Sequence, residues 1–447
     1  MAQSGSPFTS HRLSSFVAKL KRGDIPSRVR QRAALNLLDT IASAAGGAVS
    51  KNARDMHQAA RAYFGDGPAP VWFTQARVHP AAALLANCAA ASALDIDDGH
   101  RGASGHPGAA IVPAVLQEIM LRTQQDHDIL GALSIGYDIA CRIAAARLPA
   151  LVKTYSAGRW VGYGVAAAIG WMRGLDATTL AHAMTIAGAE SPENLPAGSY
   201  RRMSSVKGSS PWSTLTAAVS VERAAAGADG PDDSLDRTDV YDVARITQNL
   251  GETWEIEQTY LKPYASCRYA HAATDAVLSL VPEGSTSGKD IDRLLVEVFP
   301  KAFTITNERA PTTLEGAQFS IPFCVALAAL RGANAFRPMH VDSLQDPEVL
   351  ALAHRVEMVT GDEFHTSFPA TAPSRVRLTR NGKQTQATVV HPLGDVANPM
   401  CWDQVEQKFR DLARPARRER TDETIAACRA LAEGETDAEG LRRALAG

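Results

Sequence analysis

The feature that most constrains this chain is a long alanine- and leucine-rich run, from Ile25 to about Leu261, that repeats one grammar of helix followed by a short glycine or proline break. The first strong helix shows the pattern. Pro26 stands near its start, Ala34, Leu37, Leu38, Ile41 and Ala45 recur at steps of three and four, and Gly46-Gly47 ends it. The same periodicity predicts helices over residues 80–94, 106–122, 128–146, 159–173 and 211–228. Alanine-lined faces let helix axes approach closely, so a compact bundle is expected. No segment repeats itself at a period of about 30 to 50 residues, which argues against a solenoid.

After Lys262 the pattern changes. Residues 294–299 have strand composition, and 355–359 follow a short helix that begins near Pro347. Residues 375–380 and 383–390 flank Asn381-Gly382, the strongest local signal for a type I′ hairpin. Helical patterns at 271–281 and 320–330 alternate with these strands, and helix resumes at Trp402 and runs to the end. The expected fold is therefore mainly α. A discontinuous helical domain, 1–262 and 394–447, carries a smaller α+β domain, 263–393, inserted as a lid. Ligand sites favour such junctions.

Composition sets the function classes aside that need a strong overall charge or a membrane segment. Of 447 residues, 45% are hydrophobic and 21% charged, which is the range of ordinary globular chains. With 46 Lys and Arg against 48 Asp and Glu, the net charge of -2 offers no general attraction to nucleic acid or an anionic membrane. Neither is expected as a partner. Residues 1–23 lack an apolar core, and the longest apolar stretch, 81–94, is interrupted by Asn87 and is too short to span a bilayer, so a cytoplasmic protein is expected. Six scattered cysteines with no CxxC pair argue against a zinc site or a disulfide framework.

Chemistry concentrates in three places. Leu94-Asp95-Ile96-Asp97-Asp98-Gly99-His100, followed by Gly105-His106-Pro107-Gly108, puts three carboxylates and two histidines beside an alanine-rich helix. Such groups are costly there unless they are paired or used. Asp97 and Asp98 can equally cap or solvate a loop, and His106 can cap the helix that follows. A Mg²⁺ site is a further alternative, although the spacing matches no strong metal motif. The second place is residues 199–211, where Arg201, Arg202 and Lys207 sit among small hydroxyl residues before a helix; it suits a carboxylate ligand or is a solvated basic loop. The third, residues 262–271, gathers Lys262, Arg268 and His271 at the inferred domain boundary.

Four segments in this order, DIDDGH with GHPGAAIVPAVL, VKGSSPWSTLTAAVSVERAAAGADGP, KPYASCRYAHAATDAVLSL and EGAQFSIPFCVALAAL, resemble the MmgE/PrpD superfamily over most of the chain. The resemblance implies a helical domain with an α+β lid, a homodimer, and chemistry on polycarboxylates without a cofactor or metal. Members include 2-methylcitrate dehydratase, cis-aconitate decarboxylase and iminodisuccinate epimerase. It also places Asp95, His106, Lys207 and His271 on active-site positions. Three positions depart from the lyase pattern: Gly99 stands where threonine is common, Tyr155 replaces a histidine, with Arg159 four residues on, and Phe323 replaces a tyrosine.

The reactions of this superfamily involve a proton transfer at a carbon next to a carboxylate, so a base and cations that stabilise the enolate-like intermediate are the minimum. The departures favour an epimerase acting on a small di- or tricarboxylate, with Lys207 and Tyr155 as the proton-transferring pair and Asp95 orienting His106. Arg159, Arg202, Arg268 and Lys262 are the expected carboxylate-binding cations. A lyase is the alternative, and a catalytically inactive helical binding protein is the third reading.

Overall fold

The computed structural model describes residues 8–122, 128–152, 157–193, 204, 206–281, 290–413, 418–435 and 438–446. It is mainly helical, with a smaller α+β part. The first half contains α1 (Thr9–Lys19), α2 (Ser27–Gly47), α3 (Lys51–Phe64), a two-stranded ribbon of β1 (Asp66–Pro70) and β2 (Arg77–Val78), and α4 (Pro80–Ser92). After the acidic run come β3 (Gly99–His100), α5 (Gly108–Leu121), α6 (Ile129–Ala145), α7 (Arg159–Met172), α8 (Ala177–Glu190), α9 (Ser210–Ala225), α10 (Val243–Thr247) and β4 (Thr259–Tyr260).

The centre of the helical part is α2, buried continuously from Ala33 to Gly47 because apolar and small residues occupy its circumference there apart from the hydrogen-bonded Asn36 and Asp39. It packs against α4, α5 and α6. A second layer forms where α7 packs on α6, α8 and α9, and fully buried alanines such as Ala166, Ala167 and Ala168 keep those axes close. Side chains fix the helix starts: Asp128 accepts from the Gly131 amide at 3.0 Å, and Asp176 accepts from the Thr178 and Thr179 amides. The β1–β2 ribbon has no counterpart in the sequence expectations, because DGPAP lacks strand composition and its pairing is supplied by Arg77 and Val78 across the turn.

The α+β part contains α11 (Arg268–Leu280), β5 (Ile291–Val298), α12 (Leu314–Gln318), α13 (Ile321–Arg331), α14 (Pro347–Arg355), β6 (Val356–Thr360), β7 (Ser374–Arg380) and β8 (Lys383–Val389). Its sheet runs β6-β5-β7-β8, with β5 and β6 parallel and the other pairs antiparallel. The crossover between the parallel pair holds α12 to α14, as a parallel connection requires. Asn381 and Gly382 both have positive φ, 49° and 74°, which is the type I′ signature that the sequence predicts between β7 and β8. Helix α11 covers β7 and β8 and packs on α13.

The chain then returns to helix in α15 (Trp402–Leu412), α16 (Arg418–Glu433) and α17 (Glu439–Leu445), and α15 and α16 pack on α2 at the opposite end of the sequence. We propose that the domain division follows this return, with the helical body assembled from both ends of the chain. The two crossings lie side by side: the Leu261 amide donates to the Gly394 carbonyl at 2.9 Å. Among the described residues, no helix is long and apolar enough to cross a membrane.

Candidate active site

The acidic run lies between α4 and β3, and its backbone geometry turns the carboxylates inward. Asp95 adopts a left-handed conformation with φ 52°, which aspartate tolerates better than most residues. Helix α5 begins at Gly108, two residues later than the expected start at His106. Pro107 explains the difference, because a residue before proline is driven out of the helical region. His106 therefore stays on the loop, with its Nδ1 donating to the Asp98 carbonyl at 2.5 Å and its Nε2 3.8 Å from Asp95 Oδ1. It is not the helix cap.

Asp95 is the hub. The Lys262 ammonium, fully buried, donates to Asp95 Oδ1 at 2.8 Å and to the Asp95 carbonyl at 2.9 Å. Burial alone pushes the Asp95 carboxyl up, but Lys262, Lys207 and His106 outweigh it and hold its pKa below the ordinary value. Burial likewise pulls Lys262 down, and Asp95, Tyr260 and Asp97 together more than reverse it, so the pair is ionised. Lys207, part-buried on the stretch before α9, donates to Gln318 Oε1, and its ammonium lies 5.0 Å from the centre of the Phe319 ring. Desolvation lowers its pKa in spite of Asp95 and Glu315 nearby. Lys262, Lys207 and His106 thus all act on Asp95, with Lys262 in the direct contact.

Other expected residues have different surroundings. His271 is fully buried, with Nε2 donating to the Ser266 carbonyl and Nδ1 accepting from Arg268, both at 3.2 Å. Burial and the Arg268 and Lys262 charges push its pKa well below the usual histidine value, so it is neutral and both nitrogens are engaged. Arg268 pairs with Asp395 at 3.2 Å and donates to the Pro392 and Leu393 carbonyls. Its charge is shared with Arg101, which reaches the same Asp395 at 2.6 Å. Arg159 is exposed at the start of α7, 3.9 Å from Glu193, and makes no ion pair with the Asp95 group. Tyr155 and Arg202 lie outside the described residues. Phe323 is fully buried in α13 and belongs to the core.

Sequence reasoning missed the groups that support this site. Lys408 on α15, fully buried, donates at 2.6 Å to both Asp39 on α2 and the Ile96 carbonyl, so it ties the acidic run to both ends of the chain. Asn36 bridges Asp98 Oδ2 at 3.2 Å and Thr259 Oγ1 at 3.0 Å, and Tyr137 donates to Asp98 at 2.7 Å. Burial, with Asp97 and Asp39 close by, pushes the Asp98 carboxyl up to about 7. The β3–β4 pairing sets Gly99 opposite Tyr260, and a Cβ on Gly99 would overlap the Tyr260 ring, 2.7 Å from Cε2 and closer to Cζ and Oη. Tyr260 is two residues before Lys262 and Arg101 directly follows His100, but no spacing rule marks either.

Asp95, Asp97 and His106 each offer a ligand atom within 4.8 Å of the others, and one oxygen of each carboxylate has no hydrogen-bond partner. Lys262 already stands against Asp95, and a cation there repels a second one. The arrangement provides a carboxylate, a lysine of lowered basicity, an oriented imidazole and a wall of positive charge, which suits proton transfer beside an anionic group.

Relatives are similar over most of this chain. Over 437 residues the chain is 26% identical to a cis-aconitate decarboxylase of Aspergillus terreus (strain NIH 2624 / FGSC A1156), covering 89% of this chain and 88% of the relative. A cis-aconitate decarboxylase-like protein, oryM, of Aspergillus oryzae (strain ATCC 42149 / RIB 40) is 24% identical over 437 residues, or 90% of this chain and 89% of the relative. The family models for the MmgE/PrpD N-terminal domain and the MmgE/PrpD C-terminal domain match residues 11–249 and 264–432, so this chain belongs to the MmgE/PrpD family of enzymes.

Proposed function

We propose that the enzyme moves a proton at the carbon next to a carboxylate of a small di- or tricarboxylic acid, without a cofactor, and acts as a homodimer. The observation that carries this reading is the buried Asp95–Lys262 pair with Lys207 and His106 gathered on it. Lys207, desolvated, is the base. His106 turns its Nε2 toward Asp95, 3.8 Å from Oδ1, because Nδ1 is fixed by the Asp98 carbonyl. Lys262 holds Asp95 ionised and adds positive charge where the enolate-like intermediate forms.

The similarity to cis-aconitate decarboxylases weighs for a lyase as the first reading, over the epimerase that the sequence departures favour. One observation keeps the epimerase as the second: Tyr260 fills the space above Gly99, so a threonine in the manner of the lyase branches has no room there. Incubation with cis-aconitate, 2-methylcitrate or iminodisuccinate in D₂O, followed by proton NMR, separates the two. A lyase consumes the acid and yields a deuterated or unsaturated product, whereas an epimerase exchanges the α-proton with inversion. Absence of exchange and consumption with a panel of di- and tricarboxylates overturns the proposal.

A further inference from the structure

The Tyr260 phenol has no task in the scheme above. It is only 7% exposed, and its hydroxyl has no hydrogen-bond partner among the described residues. The hydroxyl keeps contact with solvent, so a ligand entering there can take that water's place. Its position is built with care. Thr259 and Tyr260 pair with His100 and Gly99, and the absence of a side chain at Gly99 is what lets the ring lie across the end of the acidic run.

The ring is also held on its faces. The Arg268 guanidinium lies 4.7 Å and that of Arg101 5.7 Å from its centre, and both arginines are tethered to Asp395. Two cations share that one carboxylate, so the surroundings keep a positive excess that favours an incoming anion. Lys262 and Asp95 are the other charged groups the phenol faces. Burial raises the phenol's pKa, so the hydroxyl stays protonated at neutral pH and is a donor.

We propose that Tyr260 Oη touches the substrate, donating a hydrogen bond to one carboxylate of the bound polycarboxylic acid, and so determines which acid is accepted. This rests on the functional reading above. The pre-set ring and the Arg101 and Arg268 charges make the donor rigid, which suits selection of one carboxylate position over another.

Tyr260→Phe removes the hydroxyl and keeps the ring, its contacts with both arginines and its fit over Gly99. The test compares this variant with the unaltered enzyme in D₂O exchange or consumption of cis-aconitate, 2-methylcitrate and iminodisuccinate, and in thermal unfolding with and without each acid. The expected result is a fall in kcat/KM of about tenfold or more for the preferred acid, a smaller fall for the others, and an unchanged unfolding midpoint without ligand. A kcat/KM within about twofold of the unaltered enzyme for every acid it turns over overturns the role of Tyr260 and leaves the functional reading intact. An unaltered enzyme that neither turns over nor is stabilised by any of the acids overturns the functional reading, and the Tyr260 proposal with it.

Discussion

At the scale of single residues, environment assigns the roles. Lys207 is desolvated and its pKa is lowered, so it can give up its proton nearer neutrality than an exposed lysine does. Lys207→Met is expected to lower α-proton exchange by about 10² to 10⁴, the scale of a positioned base, and Lys207→Arg to lose as much because guanidinium does not deprotonate. Exchange rates by NMR check this, and an arginine variant within about threefold of the unaltered enzyme marks Lys207 as a charge clamp instead. Asp98 gives a pH signature. Its native pKa of about 7 lies above that of an unfolded aspartate, about 3.9, so the native state binds the proton more tightly. The stability this contributes is present at low pH and is lost as pH rises through the window from about 4 to about 7. Relative to Asp98→Asn, the urea midpoint of the unaltered protein is therefore expected to fall between about pH 4 and about pH 7 and to level off above that. The Asp95, Asp97 and His106 group carries a third expectation. Since Lys262 already neutralises Asp95, activity is expected to survive exhaustive EDTA treatment, and a loss restored by Mg²⁺ contradicts it.

At the scale of elements, the site depends on helices distant in sequence. The acidic run is held by α2 through Asn36 on Asp98, by β4 through its pairing with Gly99 and His100, and by α15 through Lys408 on the Ile96 carbonyl. Lys408→Met leaves Asp39 buried without its counter-charge, and breaking a buried pair in this way costs about 3 to 5 kcal/mol. A urea denaturation series is expected to show that loss, and Asp39→Asn combined with Lys408→Met to recover part of it. Helices α1, α3 and α8 are not among the expected helices, whereas α2, α4, α6, α7 and α9 and the Asn381-Gly382 hairpin are legible, because apolar periodicity and turn chemistry act within a few residues. The ribbon of β1 and β2 is not, since its strands are defined by pairing rather than by composition. Helix α5 starts two residues later than its apolar periodicity predicts, because Pro107 outweighs that periodicity and leaves His106 on the loop.

At the scale of the whole molecule, the ends of the chain meet, with α15 and α16 on α2. The alternation of a helical run, a mixed α and β stretch and a final helical stretch already implied that meeting. Assembly into a homodimer is inferred from the family resemblance, and sedimentation at micromolar concentration is expected to give twice the 47.6 kDa of one chain. A species of 47.6 kDa under those conditions contradicts it.

The sequence by itself determined the mainly helical class with its α+β portion, most of the larger helices and the hairpin, and it marked Asp95, His106, Lys207 and Lys262 as candidates for chemistry. These are local patterns, or motifs kept in one order along the chain. Only the tertiary structure decided what each charge faces. It pairs Lys262 with Asp95, takes up both nitrogens of His271, shares Asp395 between Arg101 and Arg268, and lays Tyr260 over Gly99. The physical reason is that a charge's pKa and availability depend on desolvation and on neighbours within a few ångströms, and here those neighbours come from as far apart as residues 39 and 408.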